Sequence, residues 1–197
     1  MLTFQEIQDN VYTTAKEKGF WSESLYNGAT DLAIIQSKLM LTLSEIGEAV
    51  EAIRHEDPKE LVLEMADVFI RILDLRGYLC EGRDFPFLIL HSTITEQTNA
   101  IRSTLDAEVA KDITRFGVTS TNVYFLNYLR EIAAAIVFAW AGISVGVDQR
   151  DLVAFKLEGV LHEVIRFCCK TCLDLEKAIV EKAIYNKSRP YMHGKKI

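Results

Sequence analysis

Apolar residues recur along this chain with a helical period almost throughout, and strand-like alternation is nearly absent. Segments at roughly 3–18, 30–55, 58–80, 86–115, 121–143, 150–170 and 173–186 place apolar side chains at three- and four-residue intervals, which predicts helices. Only Pro58, Pro86 and Pro190 interrupt. The expected fold class is all-α, a helical bundle of antiparallel hairpins forming a single domain over 1–197. Asp57 before Pro58, with Glu60 following, has the residues of a helix start: an N-cap, an N1 proline and a capping box. Only His55-Glu56 or so then links that helix to the preceding one, so the two must lie antiparallel and side by side.

One stretch departs from plain amphipathic patterning. From Leu61 to Leu73 the only charges are Glu64, Asp67 and Arg71, all in one narrow stripe, and the rest of the circumference is apolar. A helix apolar nearly all round is buried. The partner helix has a core stripe of Leu39, Leu43, Ile46, Val50 and Ile53, with Glu45 and Glu48 off it. In a hairpin centred on residue 56, Glu45 stands level with Asp67, and Glu48 with Glu64. Residues three apart share a helix face, so facing helices would bring four carboxylates together. The competing reading is a solvated acidic face. Converging carboxylates without a partner repel and protonate, and a divalent cation removes that problem. Oxygen-only donors select Mg²⁺ or Mn²⁺ rather than zinc.

Composition narrows the function classes. The chain has 197 residues, 49% apolar and 25% charged, with a net charge of −6. That charge is a poor match for nucleic acid, and an anionic ligand would need a local cation to meet it. The opening stretch lacks the apolar core of a secretion signal. The longest uncharged run, Ile132 to Val147, is too short to span a bilayer and is expected to be a buried helix ending near Gly142–Gly146. A cytoplasmic protein without nucleic-acid or membrane partners is expected. Cys80, Cys168, Cys169 and Cys172 fit buried thiols in a reducing compartment; a zinc site from Cys168, Cys172 and His162 would lack a second ligand pair at the usual spacing.

The segment SEIGEAVEAIR followed by ELVLEMADVFIRILDLRGYL resembles the MazG-like all-α nucleoside triphosphate pyrophosphohydrolases, whose motif is EExxE and then ExxD. Ser44 stands at the first acidic position here, as in small phage-type members. The C-terminal pattern K-x-x-x-N-x-x-R-P-Y-x-H-G, from Lys182 to Gly194, is also similar to the tail of those members. The resemblance implies Mg²⁺ or Mn²⁺ on Glu45, Glu48, Glu64 and Asp67, and hydrolysis of a nucleoside triphosphate to the monophosphate and pyrophosphate. Glu48 is the choice for activating water. Lys38, Lys182, Arg189 and Lys195 are candidate phosphate cations. Asn186 and Tyr191 are candidate contacts to sugar or base. Trp21 could stack on a base or simply pack. Family members assemble as dimers or tetramers, so a homodimer is among the expected assemblies.

The chain is thus expected to divide into a catalytic hairpin over 36–81, an insertion over 86–170, and a C-terminal helix with a basic tail over 173–197. The insertion echoes the motif: STITEQTNAIR matches SEIGEAVEAIR at six of eleven positions, and Glu131 precedes Ala134 where an acidic partner would stand. With Thr93 and Ala134 replacing acids, only Glu96 and Glu131 remain, so this reads as a degenerate repeat. The alternative function is a non-catalytic helical module that binds nucleotide, metal or a partner protein.

Overall fold

The computed structural model describes residues 2–22, 26, 28–83, 85–104, 121–141 and 150–191. Among these, seven helices are α1 (Phe4–Glu17), α2 (Asp31–Arg54), α3 (Pro58–Cys80), α4 (Ile94–Arg102), α5 (Thr121–Ala141), α6 (Arg150–Lys170) and α7 (Leu175–Ser188). The fold is all-α, and the only β-type pairing among the described residues is an isolated bridge between Thr3 and Thr93.

The α2–α3 hairpin is the framework, and its turn is built by local chemistry. Helix α2 ends in a Schellman arrangement: Glu56 N–H donates to Ile53 O and Asp57 N–H to Ala52 O. Glu56 takes the left-handed conformation this requires, with φ 53°. Asp57 then caps α3, its carboxylate accepting from Lys59 N–H and Glu60 N–H, both at 3.0 Å, with Pro58 as the first helical residue. Small side chains, Ala49 and Ala52 on α2 and Ala66 on α3, are buried in the core and let helices approach closely.

Helix α3 is central. It packs against α1, α2, α6 and α7, which is why nearly its whole circumference is apolar. Met65, Val68, Phe69, Ile72, Leu73, Leu75 and Leu79 are fully buried, each worth about 1.5–3 kcal/mol for the larger side chains. Gly77 allows α1 to approach, since a Cβ there would lie 2.7 Å from Tyr12 Cβ.

The second half packs on this hairpin, α5 against α2 and α6 against α3. A buried ion pair joins the halves: Arg76 of α3 donates to Glu158 of α6 at 3.0 Å, and both side chains are fully buried. Two differences from the periodicity reading follow. Residues 85–92 are not helical, because Arg76 binds the carbonyls of Phe85 and Pro86 while Glu158 accepts from the N–H groups of Leu88 and Ile89. Helix α4 therefore starts only after the Thr93 cap; the rest of the expected 86–115 helix, residues 105–115, lies outside the described residues. Helix α5 buries Leu129, Ile132 and Ile136 but exposes Val137 and Phe138. It lies at the edge, with neighbours on α2 and α6, so its apolar run is not fully enclosed; Gly142–Gly146 lie outside the described residues. No described helix is long and apolar enough to cross a membrane.

The thiols also divide. Cys168 and Cys169 are buried, Cys80 is partly buried, and Cys172 is exposed, where the chain turns between α6 and α7 with φ 56°. His162 Nδ1 pairs with Gln97 at 2.8 Å rather than with a thiol.

Candidate active site

The hairpin turn sets the helix register, and the register brings the acids together. Carboxylate oxygens of Glu45, Glu48 and Glu64 all lie within 4.8 Å of one another. Glu45 and Glu64 are buried and Glu48 is exposed. The burial of Glu45 follows from the α3 face it meets, although it stands off the aliphatic stripe of α2. Asp67, one turn beyond Glu64, is half-buried, and its carboxylate is held by Lys182 of α7. Thus three of the four expected acids meet directly, and the fourth is paired beside them.

The electrostatics of this cluster are tense. Burial pushes Glu64 up to about 8, helped by its hydrogen bond with Glu45 and opposed by the Lys182 charge. Burial also raises Asp67, against the pull of Lys182. Arg71, one turn after Asp67 on α3, donates through Nε to Glu45 at 2.6 Å. Glu64 Oε2 is buried and has no hydrogen-bond partner, and the residue is only 4% exposed. A buried, unpartnered carboxylate oxygen is costly. A hard divalent cation fits this donor set of carboxylate oxygens gathered within 4.8 Å of one another.

Next to the acids lies a cavity of about 400 Å³ between α1, α3 and α7. Its lining includes Lys18, Lys38, Arg71, Lys182 and Arg189 against only two acids, Asp67 and Asp74. In a chain of net charge −6, the cavity lining thus gathers cationic side chains, three of which are paired with carboxylates: Lys38 with Asp74, Arg71 with Glu45 and Lys182 with Asp67. Lys182, Asn186 and Arg189 all line it: the first two, four apart, share one face of α7, and Arg189 is the residue that caps its C-terminus.

Other expected residues occupy different positions. Lys38 does not extend freely beside the acids. It is buried against Asp74 at 3.3 Å and lies 3.9 Å above the Trp21 ring; burial lowers its pKa and raises that of Asp74. Trp21 donates to Asp74 at 2.6 Å and stacks on Tyr78 at 4.5 Å. Its ring is covered by Tyr78 and Lys38 and packs against the core. Tyr191 is exposed and packs over Gly19, where a Cβ would run into the phenol ring. Lys195 lies outside the described residues. Glu96 closes a capping box with Thr93, and Glu131 pairs with Arg130 at 2.7 Å.

Sequence reasoning missed Arg71 as a partner for the acids, Asp74 as the buried base of Lys38 and Trp21, and the α1 wall formed by Asn10, Thr14 and Lys18. The first was within reach, because Arg71 sits in the acidic stripe. The α1 residues gave no signal, being ordinary polar positions of an amphipathic helix.

Residues 35–85 match the family model of the MazG nucleotide pyrophosphohydrolase domain. This stretch contains both acidic pairs, Arg71 and Asp74. No curated protein and no solved structure matches the chain.

Proposed function

We propose that this chain, whose α2–α3 hairpin is MazG-like, hydrolyses a nucleoside triphosphate to the monophosphate and pyrophosphate. Nucleotide pyrophosphohydrolase activity is the general property of that domain family, and its members generally depend on divalent metal. The finer reading assigns Mg²⁺ or Mn²⁺ to Glu45, Glu48, Glu64 and Asp67. One observation carries it: a cluster of carboxylates with an unpartnered buried oxygen opens beside a cavity lined by five cationic side chains.

Each group then has a task. When bound, the cation would neutralise phosphate charge and lower the pKa of a water. Lys182 and Arg189 would meet phosphate oxygens from the opposite wall. Glu48, the exposed acid of the cluster, would accept a proton from the attacking water, whereas Glu45 is engaged by Arg71. Lys38, held by Asp74 and Trp21, fixes a positive charge in the floor. Asn186 and Arg189 stay in place because Lys18 donates to the Arg189 carbonyl, tying α7's end to α1. A cytoplasmic location and assembly as a homodimer belong to the same proposal.

The test is product analysis with a panel of nucleoside triphosphates and Mg²⁺. Pyrophosphate with a monophosphate is the expected pair. Orthophosphate with a diphosphate would overturn the bond assignment, and full turnover in excess chelator would overturn the metal reading.

A further inference from the structure

Two basic side chains engage the acid cluster, and they differ in kind. Arg71 belongs to α3 itself, and its guanidinium places Nε and a terminal nitrogen on Glu45 Oε1. It is built into the same helix as Glu64 and Asp67 and holds Glu45 through two nitrogens. Lys182 comes from α7, reaches across to Asp67 and is bonded there by its ammonium alone. A lysine is a point charge on a flexible four-carbon stem, so it can change partner at small cost. Its side chain is 20% exposed and lines the cavity together with Asn186 on the same face of α7 and Arg189 at its C-terminal cap.

We propose that Lys182 and the divalent cation compete for Asp67, and that Lys182 released from Asp67 turns along α7 into the cavity to meet the substrate's phosphates. This rests on the metal-dependent reading above and names a coupling within that site. The physical basis is charge. Asp67 can satisfy an ammonium or a doubly charged ion, but both at hydrogen-bond range would repel strongly in a half-buried setting. The other carboxylate in the cavity lining, Asp74, is already held by Lys38 and Trp21, so a displaced ammonium gains a new anionic partner there when polyphosphate binds. Metal loading thereby arms a phosphate-binding lysine, and phosphate binding in turn favours metal on Asp67, as reciprocal linkage demands.

The experiment uses Mn²⁺ and inorganic pyrophosphate as probes, without turnover. Mn²⁺ binding to the full chain is followed by electron paramagnetic resonance for wild type, Lys182→Met and Lys182→Arg. Removing the competitor should tighten Mn²⁺ binding to Lys182→Met by roughly tenfold, with Lys182→Arg near wild type. Pyrophosphate binding to the Mn²⁺-loaded protein, measured by calorimetry, should move the opposite way and weaken roughly tenfold in Lys182→Met. A lysine with only a packing role would not change the two affinities in opposite directions. Folded Lys182→Met with unchanged or weaker Mn²⁺ binding would overturn the competition and leave the metal site standing. Wild type that binds no Mn²⁺ would overturn the metal reading and this inference together.

Discussion

Single side chains in this site are defined by what surrounds them more than by their own type. Glu48 and Glu64 are both glutamates of one cluster, yet Glu48 faces solvent and Glu64 is enclosed with one oxygen unpartnered. Glu48→Gln should therefore cost activity and not stability. Pyrophosphate release should fall by about 100-fold or more, the usual scale for a lost general base, while the denaturation midpoint stays within about 0.5 kcal/mol of wild type. Under chelating conditions Glu64 should show itself in the pH dependence of stability. Its folded pKa, about 8, stands above the unfolded value of 4.5, so the fold binds its proton more tightly. That contribution is complete below pH 4.5, shrinks as pH rises and is gone above about 8. Metal-free wild type should lose stability across this window, by at most ~1.4 kcal/mol per pH unit from this group. Denaturant titrations in chelator should show a flatter slope for Glu64→Gln; identical slopes would rule out Glu64 as the proton holder.

At the scale of elements, the site depends on a turn three residues long, His55 to Asp57. The Schellman end of α2 and the Asp57 cap of α3 fix how far one helix is rotated and shifted against the other. Glu56 holds φ 53° without being glycine, which costs about 1 kcal/mol in a residue with a Cβ. Glu56→Gly should raise stability by up to about 1 kcal/mol, offset in part by the greater freedom of glycine in the unfolded chain. Activity should be unchanged, because the register is preserved. Urea denaturation together with a turnover assay checks both; a loss of activity would mean that Glu56 itself serves the site. Helix α7 is bound to the hairpin in a different way, by the burial of Leu175, Ala178 and Ile179 and by Lys182 on Asp67.

Across the whole molecule, the Arg76–Glu158 pair joins the hairpin to the second half and organises residues 85–89 between them. Arg76 also donates to Gln8 Oε1 of α1 at 2.7 Å and lies 3.7 Å from the Phe87 ring centroid. Removing one partner leaves an uncompensated buried charge and unmatched backbone groups. Glu158→Ala should destabilise the protein by about 3–5 kcal/mol, read from urea denaturation, with loss of a single cooperative transition if the halves then separate. A change below about 1 kcal/mol would show that the pair is not what holds them. The acid cluster itself uses only hairpin residues, whereas the cationic wall beside it draws on α2, α3 and α7 and the C-terminal cap of α1.

The sequence by itself determined the helices, the turn after α2, and the acidic pairs on facing sides of the hairpin, because periodicity, caps and a short link are local properties. The apolar circumference of α3 also announced that its acids would be enclosed. Tertiary structure alone decided which charges neutralise which. Lys182 meets Asp67 across 115 positions and Trp21 meets Asp74 across 53, and no spacing rule relates residues so far apart. It also decided that Lys38 turns to Asp74, that Trp21 is covered, and that residues 85–92 abandon a helical pattern. In the last case Arg76 and Glu158 offer those backbone groups stronger, charge-assisted partners than a helix would, and such partners exist only once α3 and α6 have packed together.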